Sequence, residues 1–187
     1  MARIKIALLG APFTGKTELT SALAEALPRS FGLPEYAREY IEKYGPPEHI
    51  VEQMYMLEKM AQIERSIGDL YPYVIIDSPL PVYALYGTHF YQSKTGKKAV
   101  EFREEFRKLA VRHANDYDLC YLLPCSEVEY TLKNMDSVRA LKPDERNAVG
   151  VMLREFCASH VSNYVVLRGS VEDRVKRILE DISKLGL

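Results

Sequence analysis

The sequence predicts one doubly wound α/β domain, a five-stranded parallel sheet flanked by helices. Three observations carry that prediction. Short apolar runs alternate with helical patterns along all 187 residues, the order in which crossover helices link parallel strands. The runs are apolar at consecutive positions, as strands covered on both faces are. The first run ends in a glycine-containing loop that opens a helix, the strand–loop–helix beginning of a doubly wound sheet.

Each element follows in order. IKIALL (4–9) reads as the first strand and residues 16–27 as the helix after the loop. A weaker strand lies near GLPEY (32–36). Tyr36, Tyr40 and Tyr44 then recur every four residues, as on a half-buried helix face. A helix over 48–68 carries Ile50, Met54, Leu57 and Ala61 at helical spacing. YVIID (73–77) is the third strand, and Pro79 and Pro81 stiffen its exit. A helix over 98–114 buries Phe102, Phe106 and Leu109, and His113 continues that face as a packed histidine. LCYLL (119–123) is the fourth strand. A helix over 143–159 starts at Pro143, a good first helical residue, and carries Val149, Met152, Leu153 and Phe156. YVVL (164–167) is the fifth strand. The last helix starts at Ser170, with Asp173 completing a capping box, and buries Val175, Ile178, Leu179, Ile182 and Leu185. The whole of 1–187 reads as a single domain.

Composition narrows the classes. Hydrophobic residues make up 47% and charged residues 27%, with a net charge of -1. No global positive field recruits polyanions, so nucleic-acid binding would need a local patch. No apolar run nears the ~20 residues of a membrane span, and the apolar part of MARIKIALLGAPF is too short for a signal peptide. Cys120, Cys125 and Cys157 are odd in number and lack metal spacing, which fits a reducing compartment. The expected location is the cytoplasm, that of the host if the gene is phage-encoded.

The chemistry starts at GAPFTGKT (10–17), a full match to G-x-x-x-x-G-K-[ST] between a strand and a helix. Gly10, Ala11, Pro12, Phe13, Thr14 and Gly15 form a loop whose N–H groups can face phosphates, with Glu18 just beyond it. The helix N-terminus adds positive potential. Lys16 can reach the β- and γ-phosphates of ATP, and the Thr17 hydroxyl can hold Mg²⁺. Asp77 closes an apolar strand, where a carboxylate joins Thr17 in holding Mg²⁺; the other reading is a strand-end Asp that only turns the chain into Ser78-Pro79. GTP recognition usually needs an Asn/Thr-Lys-x-Asp element near the end of the sheet. YLLPCSEVEY lacks it, so ATP is favoured.

The stretch LPEYAREY follows the second strand, so Glu35 should point into the crevice that holds Lys16 and Asp77. A carboxylate there can orient an acceptor hydroxyl and take its proton. Arg38 can hold a phosphate or carboxylate, or pair with Glu35. Tyr36, Pro79 and Tyr83 complete the predicted acceptor wall. Segment 126–146 reads as a lid that brings Arg139 and Arg146 over the phosphates, or as an ordinary charged loop. The turn at Gly169 can line an adenine edge as well as cap a helix.

Together these motifs resemble the ribosylnicotinamide kinase domain of NadR and its relatives among small P-loop kinases and phage-encoded P-loop proteins. The matching pieces are GAPFTGKT, PEYAREYI, DSVRALKPDER and RGSVEDR. Asp136, Arg139 and Arg146 fit the family's late arginine pattern, while Ser137 stands where Gly is usual. IIDSPLPVYALYG departs from the nicotinamide riboside kinases and looks closer to the phage-type members. The resemblance implies a P-loop kinase fold with ATP and Mg²⁺; without an attached adenylyltransferase domain, the bifunctional role does not carry over.

The leading expectation is therefore a kinase acting on a hydroxyl of a nucleoside or nucleotide-like small molecule. A second reading moves the acceptor into DNA as a hydroxymethylated base. Its support is the basic run Lys94, Lys97, Lys98, Arg103, Arg107, Lys108 and Arg112. Glu101, Glu104 and Glu105 interrupt that run and make it read as a charged helix face. A third reading is a nucleotide-gated ATPase or binding module acting through a protein partner. Glu35 and the two lid arginines, which a pure switch does not need, speak against it. Helix 48–68 offers a side for a dimer without requiring one.

Overall fold

A computed structural model describes residues 3–67, 70–90, 97–127 and 141–185. Five parallel strands, β1 (Ile4–Leu9), β2 (Ser30–Leu33), β3 (Tyr73–Asp77), β4 (Leu119–Leu122) and β5 (Tyr164–Val166), lie in the order β2-β3-β1-β4-β5. Seven α-helices flank them among the described residues: α1 (Lys16–Ala26), α2 (Tyr36–Tyr44), α3 (Ile50–Ile67), α4 (Leu80–Phe90), α5 (Lys97–Arg112), α6 (Pro143–His160) and α7 (Val171–Ser183). The predicted fold class is the one observed. Among the described residues no helix is long and apolar enough to cross a membrane.

Strand alternation divides the core in two. Ile4, Ile6 and Leu8 face Leu19 and Leu23 of α1 and Ile178 and Ile182 of α7. Ala7 and Leu9 face the other side, among Met56, Leu57 and Met60 of α3, Val82 and Leu85 of α4, Phe106 of α5 and Leu153 of α6. The register fixes what meets at the carboxyl edge. Leu8 pairs with Asp77, and Leu33 pairs with Ile76. Gly10, Asp77 and Glu35 therefore emerge at one edge, where ligands of such sheets bind.

Several sequence expectations change. Helix α4 was not foreseen: the segment after Pro79 is a helix with Pro81 in its first turn, where a missing N–H costs nothing. Phe102 is 42% exposed rather than buried, because α5 packs on α4 through Phe106, whose ring lies against Gly87. Leu185 lies past the end of α7 and is 43% exposed. The buried stripe of α3 runs through Gln53, Met56, Leu57, Met60, Glu64 and Ile67, leaving Ile50, Met54 and Ala61 half-buried. The capping box at Ser170 and the start of α6 at Pro143 stand as expected; Ser170 Oγ accepts from Asp173 N at 3.1 Å. His113 ends half-buried beyond α5, its Nδ1 2.6 Å from Asp116 Oδ2. Cys120 and Cys157 are buried free thiols, and burial pushes Cys120 up to about 11.

The charged group on the α3 stripe needs explaining, since a buried polar atom costs stability unless bonded. That group is Glu64. Tyr117 Oη donates to it at 3.2 Å while accepting from Leu80 N at 3.0 Å, and Lys5 Nζ lies 3.8 Å away. Burial still raises the Glu64 carboxyl above its ordinary value, against the pull of Lys5 and Tyr117. A folded-state value above the unfolded one means that the folded chain holds its proton longer. Stability is therefore lost as pH climbs from the unfolded toward the folded value. Glu64→Gln should be less sensitive than wild type to a rise from pH 4 to pH 7, which thermal unfolding across that range measures. An identical pH dependence in both proteins would contradict it.

Candidate active site

The loop between β1 and α1 is built from two special positions. Gly15 sits at φ 85°, which only glycine adopts without cost. A Cβ on Gly10 would meet Thr14 Oγ1 at 2.5 Å and the Leu123 carbonyl at 3.0 Å. Non-glycine Phe13 and Ser78 also hold left-handed φ of 58° and 67°. Each such residue costs of order 1–3 kcal/mol and is retained where surrounding contacts impose it. At Ser78 the contact is its N–H to the Leu8 carbonyl at 3.2 Å.

Lys16 is buried, and its Nζ donates to the Gly10 and Ala11 carbonyls at 3.0 and 3.1 Å. The Thr17 hydroxyl donates to Asp77 Oδ2 at 2.6 Å and accepts from Arg38 Nη2 at 2.7 Å. Arg38, Thr17 and Asp77 thus form one polar line across three elements. A crevice of about 350 Å³ opens beside it, lined by Pro12, Phe13, Thr14, Gly15, Lys16, Thr17 and Glu18 together with Glu35, Arg38 and Glu42. The structure therefore brings the loop and the predicted acceptor carboxylate into one cavity. Glu42 was missed by sequence reasoning, although positions 35, 38 and 42 share one face of a helix.

Other predicted residues take different places. Tyr83 is 4% exposed, and its hydroxyl accepts from Ala37 N at 3.0 Å, tying the first turn of α2 to α4. Burial, and then the nearby Glu35 charge, push this phenol well above its ordinary value, so it stays a neutral hydroxyl. Pro79 is buried. Tyr36 is half-buried, its ring 6.4 Å from that of Tyr55. Gly169, at φ 89°, turns the chain into α7; a Cβ there would meet Asp173 Oδ2 at 2.9 Å, so its glycine serves the cap. Arg139, and with it most of the predicted lid, lies outside the described residues.

Arg146 belongs to the first turn of α6 and is 3% exposed. Its Nε donates to the Pro12 carbonyl at 3.0 Å and its Nη2 to the Phe13 carbonyl at 3.2 Å. A second buried arginine, Arg174 of α7, donates from Nη1 to the Thr14 carbonyl at 3.2 Å. Sequence reasoning read RGSVEDR as a helix cap, a candidate adenine edge and a matching piece of the family pattern, and missed Arg174. The available signal was its spacing: Arg174, Ile178 and Ile182 lie four apart on the buried face of α7.

The chain was compared with known proteins. The family model described as an AAA domain matches residues 5–174. No curated protein matches its sequence. Among solved structures it resembles deoxyadenosine kinase from M. mycoides with bound dATP, at 17% identity and a TM-score of 0.72, over 97% of this chain and 100% of that one. It also resembles NadR in complex with NAD and AMP-PNP, at 19% identity and a TM-score of 0.69, over 97% of this chain; it spans 49% of the NadR chain. Thymidylate kinase from Candida albicans follows at 13% identity and a TM-score of 0.67, over 99% and 93% of the two chains. At these identities the likeness establishes the fold, that of the small P-loop kinases.

The Tyr83 hydroxyl is open to a direct test. Tyr83→Phe keeps the ring and removes the acceptor for the Ala37 amide. It should cost about 1 kcal/mol of stability and speed hydrogen exchange at the amides of 36–38. Unchanged exchange there would mean that α2 is held by other contacts.

Proposed function

The chain belongs to the AAA domain family, and on that footing we propose that it is an ATP-dependent kinase. It moves the terminal phosphoryl group of ATP to a hydroxyl of a nucleoside or nucleotide-like acceptor, of the nicotinamide riboside or deoxynucleoside type. The carrying observation is the shared crevice, in which Glu35 and Arg38 stand across from the loop that holds Lys16 and Thr17. A loop that only binds nucleotide has no use for a facing carboxylate. The solved kinases of like fold, one with bound dATP and NadR in complex with NR, support the same reading.

The residues present fit Mg²⁺ and a triphosphate. Thr17 Oγ1 and Asp77 Oδ2 are hard oxygen donors 2.6 Å apart, the type that Mg²⁺ takes. When bound, the ion would neutralise charge on the phosphate oxygens. Lys16, whose Nζ lies on the Gly10 and Ala11 carbonyls, supplies a cation within the loop that can turn to the phosphates, and the α1 N-terminus adds its N–H groups. Glu35 accepts the proton of the acceptor hydroxyl as that oxygen bonds to the terminal phosphorus. The bridging P–O bond breaks in the same transfer, and the electron pair leaves with ADP. Arg38, already in the crevice, orients an anionic part of the acceptor or the transferring group. Arg139 and Arg146 contribute positive charge on the donor side.

The test is a panel of nicotinamide riboside, ribo- and deoxynucleosides, their monophosphates and DNA with hydroxymethylated pyrimidines, incubated with Mg²⁺ and ATP. Mass spectrometry should find one acceptor heavier by a phosphoryl group, and Glu35→Gln should slow the gain roughly 100-fold or more. ATP consumption that needs no acceptor and is indifferent to Glu35→Gln would instead make the chain an ATPase working through a partner.

A further inference from the structure

Among the described residues, two buried side-chain polar atoms have no hydrogen-bond partner, and both are arginine Nε atoms: those of Arg38 and Arg174. Both arginines bond to the loop region, Arg38 at Thr17 and Arg174 at Thr14. Buried polar atoms are nearly always bonded, so each exception calls for a cause.

Arg174 is the sharper case. It is 4% exposed and forms no ion pair with a carboxylate among the described residues. The nearest acidic neighbour in sequence, Asp173, is turned to the Ser170 amide and hydroxyl instead. Arg174 Nη1 lies 3.3 Å from where a Cβ on Gly15 would stand, just before the first residue of α1. A cation is thus buried beside the positive end of a helix, the place where a fixed positive charge is least welcome. Removing a charge from water without a counter-charge is costly. Such an arrangement persists where a ligand brings the opposite charge.

We propose that Arg174 is a positioning residue for the nucleotide: a buried cation behind the phosphate loop whose counter-charge is the polyphosphate bound on the loop's other side. This rests on the reading of residues 10–17 as a nucleotide loop. It acts in two ways. The carbonyl and N–H of one peptide point in opposite directions. Holding the Thr14 carbonyl backwards therefore turns the Gly15 N–H forwards, as Arg146 does for the peptides after Pro12 and Phe13. The guanidinium charge then adds to the field at the phosphates, little screened because it is buried. Arg174 touches no reacting atom, so it strengthens ground state and transition state alike.

Calorimetric titration with Mg·ATP and, separately, with inorganic triphosphate tests this on wild type, Arg174→Leu, Arg174→Lys and Lys16→Met. Arg174→Leu should unfold, without nucleotide, at the wild-type temperature or above it. It should bind both ligands about tenfold or more weakly, raise KM for ATP and leave kcat at saturating ATP unchanged. Arg174→Lys should recover most of the affinity. The proposal is overturned if Arg174→Leu binds ATP as wild type does, if Lys proves no better than Leu, or if both replacements fail to fold. That last result would make Arg174 a brace of the unliganded fold. Failure of wild type to bind ATP, or equal binding by Lys16→Met, would bring down the nucleotide-loop reading itself, and this proposal with it.

Discussion

The structure depends on one constraint: the loop from Gly10 to Gly15 must curl so that the N–H groups of Phe13, Thr14 and Gly15 face away from the carbonyls that Arg146 and Arg174 hold. A peptide that turns its N–H one way turns its carbonyl the other, so the loop needs acceptors' partners behind it as much as a ligand in front. Those partners are arginines on α6 and α7, which bond the Pro12, Phe13 and Thr14 carbonyls. Lys16 takes the carbonyls of Gly10 and Ala11. The far side of the loop is thus held by side chains that lie more than 130 residues along the chain, and its near side by Lys16.

The sheet turns that loop into a site. Because β1 lies between β3 and β4, the loop at its end is flanked by the exits of its neighbours, and Asp77 falls level with Leu8. β2, at the edge, delivers Glu35 across the gap. The two walls of the crevice, the loop after β1 and the start of α2, therefore come from the same parallel register. The polar line from Arg38 through Thr17 to Asp77 joins them.

What the sequence made legible was local. GAPFTGKT carries its own geometry, since two glycines, a lysine and a hydroxyl at fixed spacing need no distant context. β1, β3 and β4 were legible because apolar runs buried on both faces resemble little else, whereas β2, a half-exposed edge strand over Ser30–Leu33, was read two residues too late, at 32–36. The Ser170 cap was legible because both its bonds lie within three residues. What stayed hidden was long-range. α4 is apolar nearly all round and begins among prolines, so it showed no amphipathic period. Phe102 had the right spacing for burial, but burial was decided by where α4 lies. Arg174 reads as a surface charge until Thr14, 160 residues earlier, is placed beside it. Tyr83 looked like a substrate contact because position along the chain does not say which way a ring points.

The supports also run against the direction of synthesis. Tyr83 completes the start of α2, and Tyr117 completes the start of α4. Arg146 and Arg174 complete a loop made more than 130 residues before them. On a ribosome the N-terminus emerges first, yet each early element waits for a later one. The loop is made before the helices that hold its carbonyls, so a nascent chain that has not yet reached α7 carries the full motif in sequence without the side chains that hold its backbone.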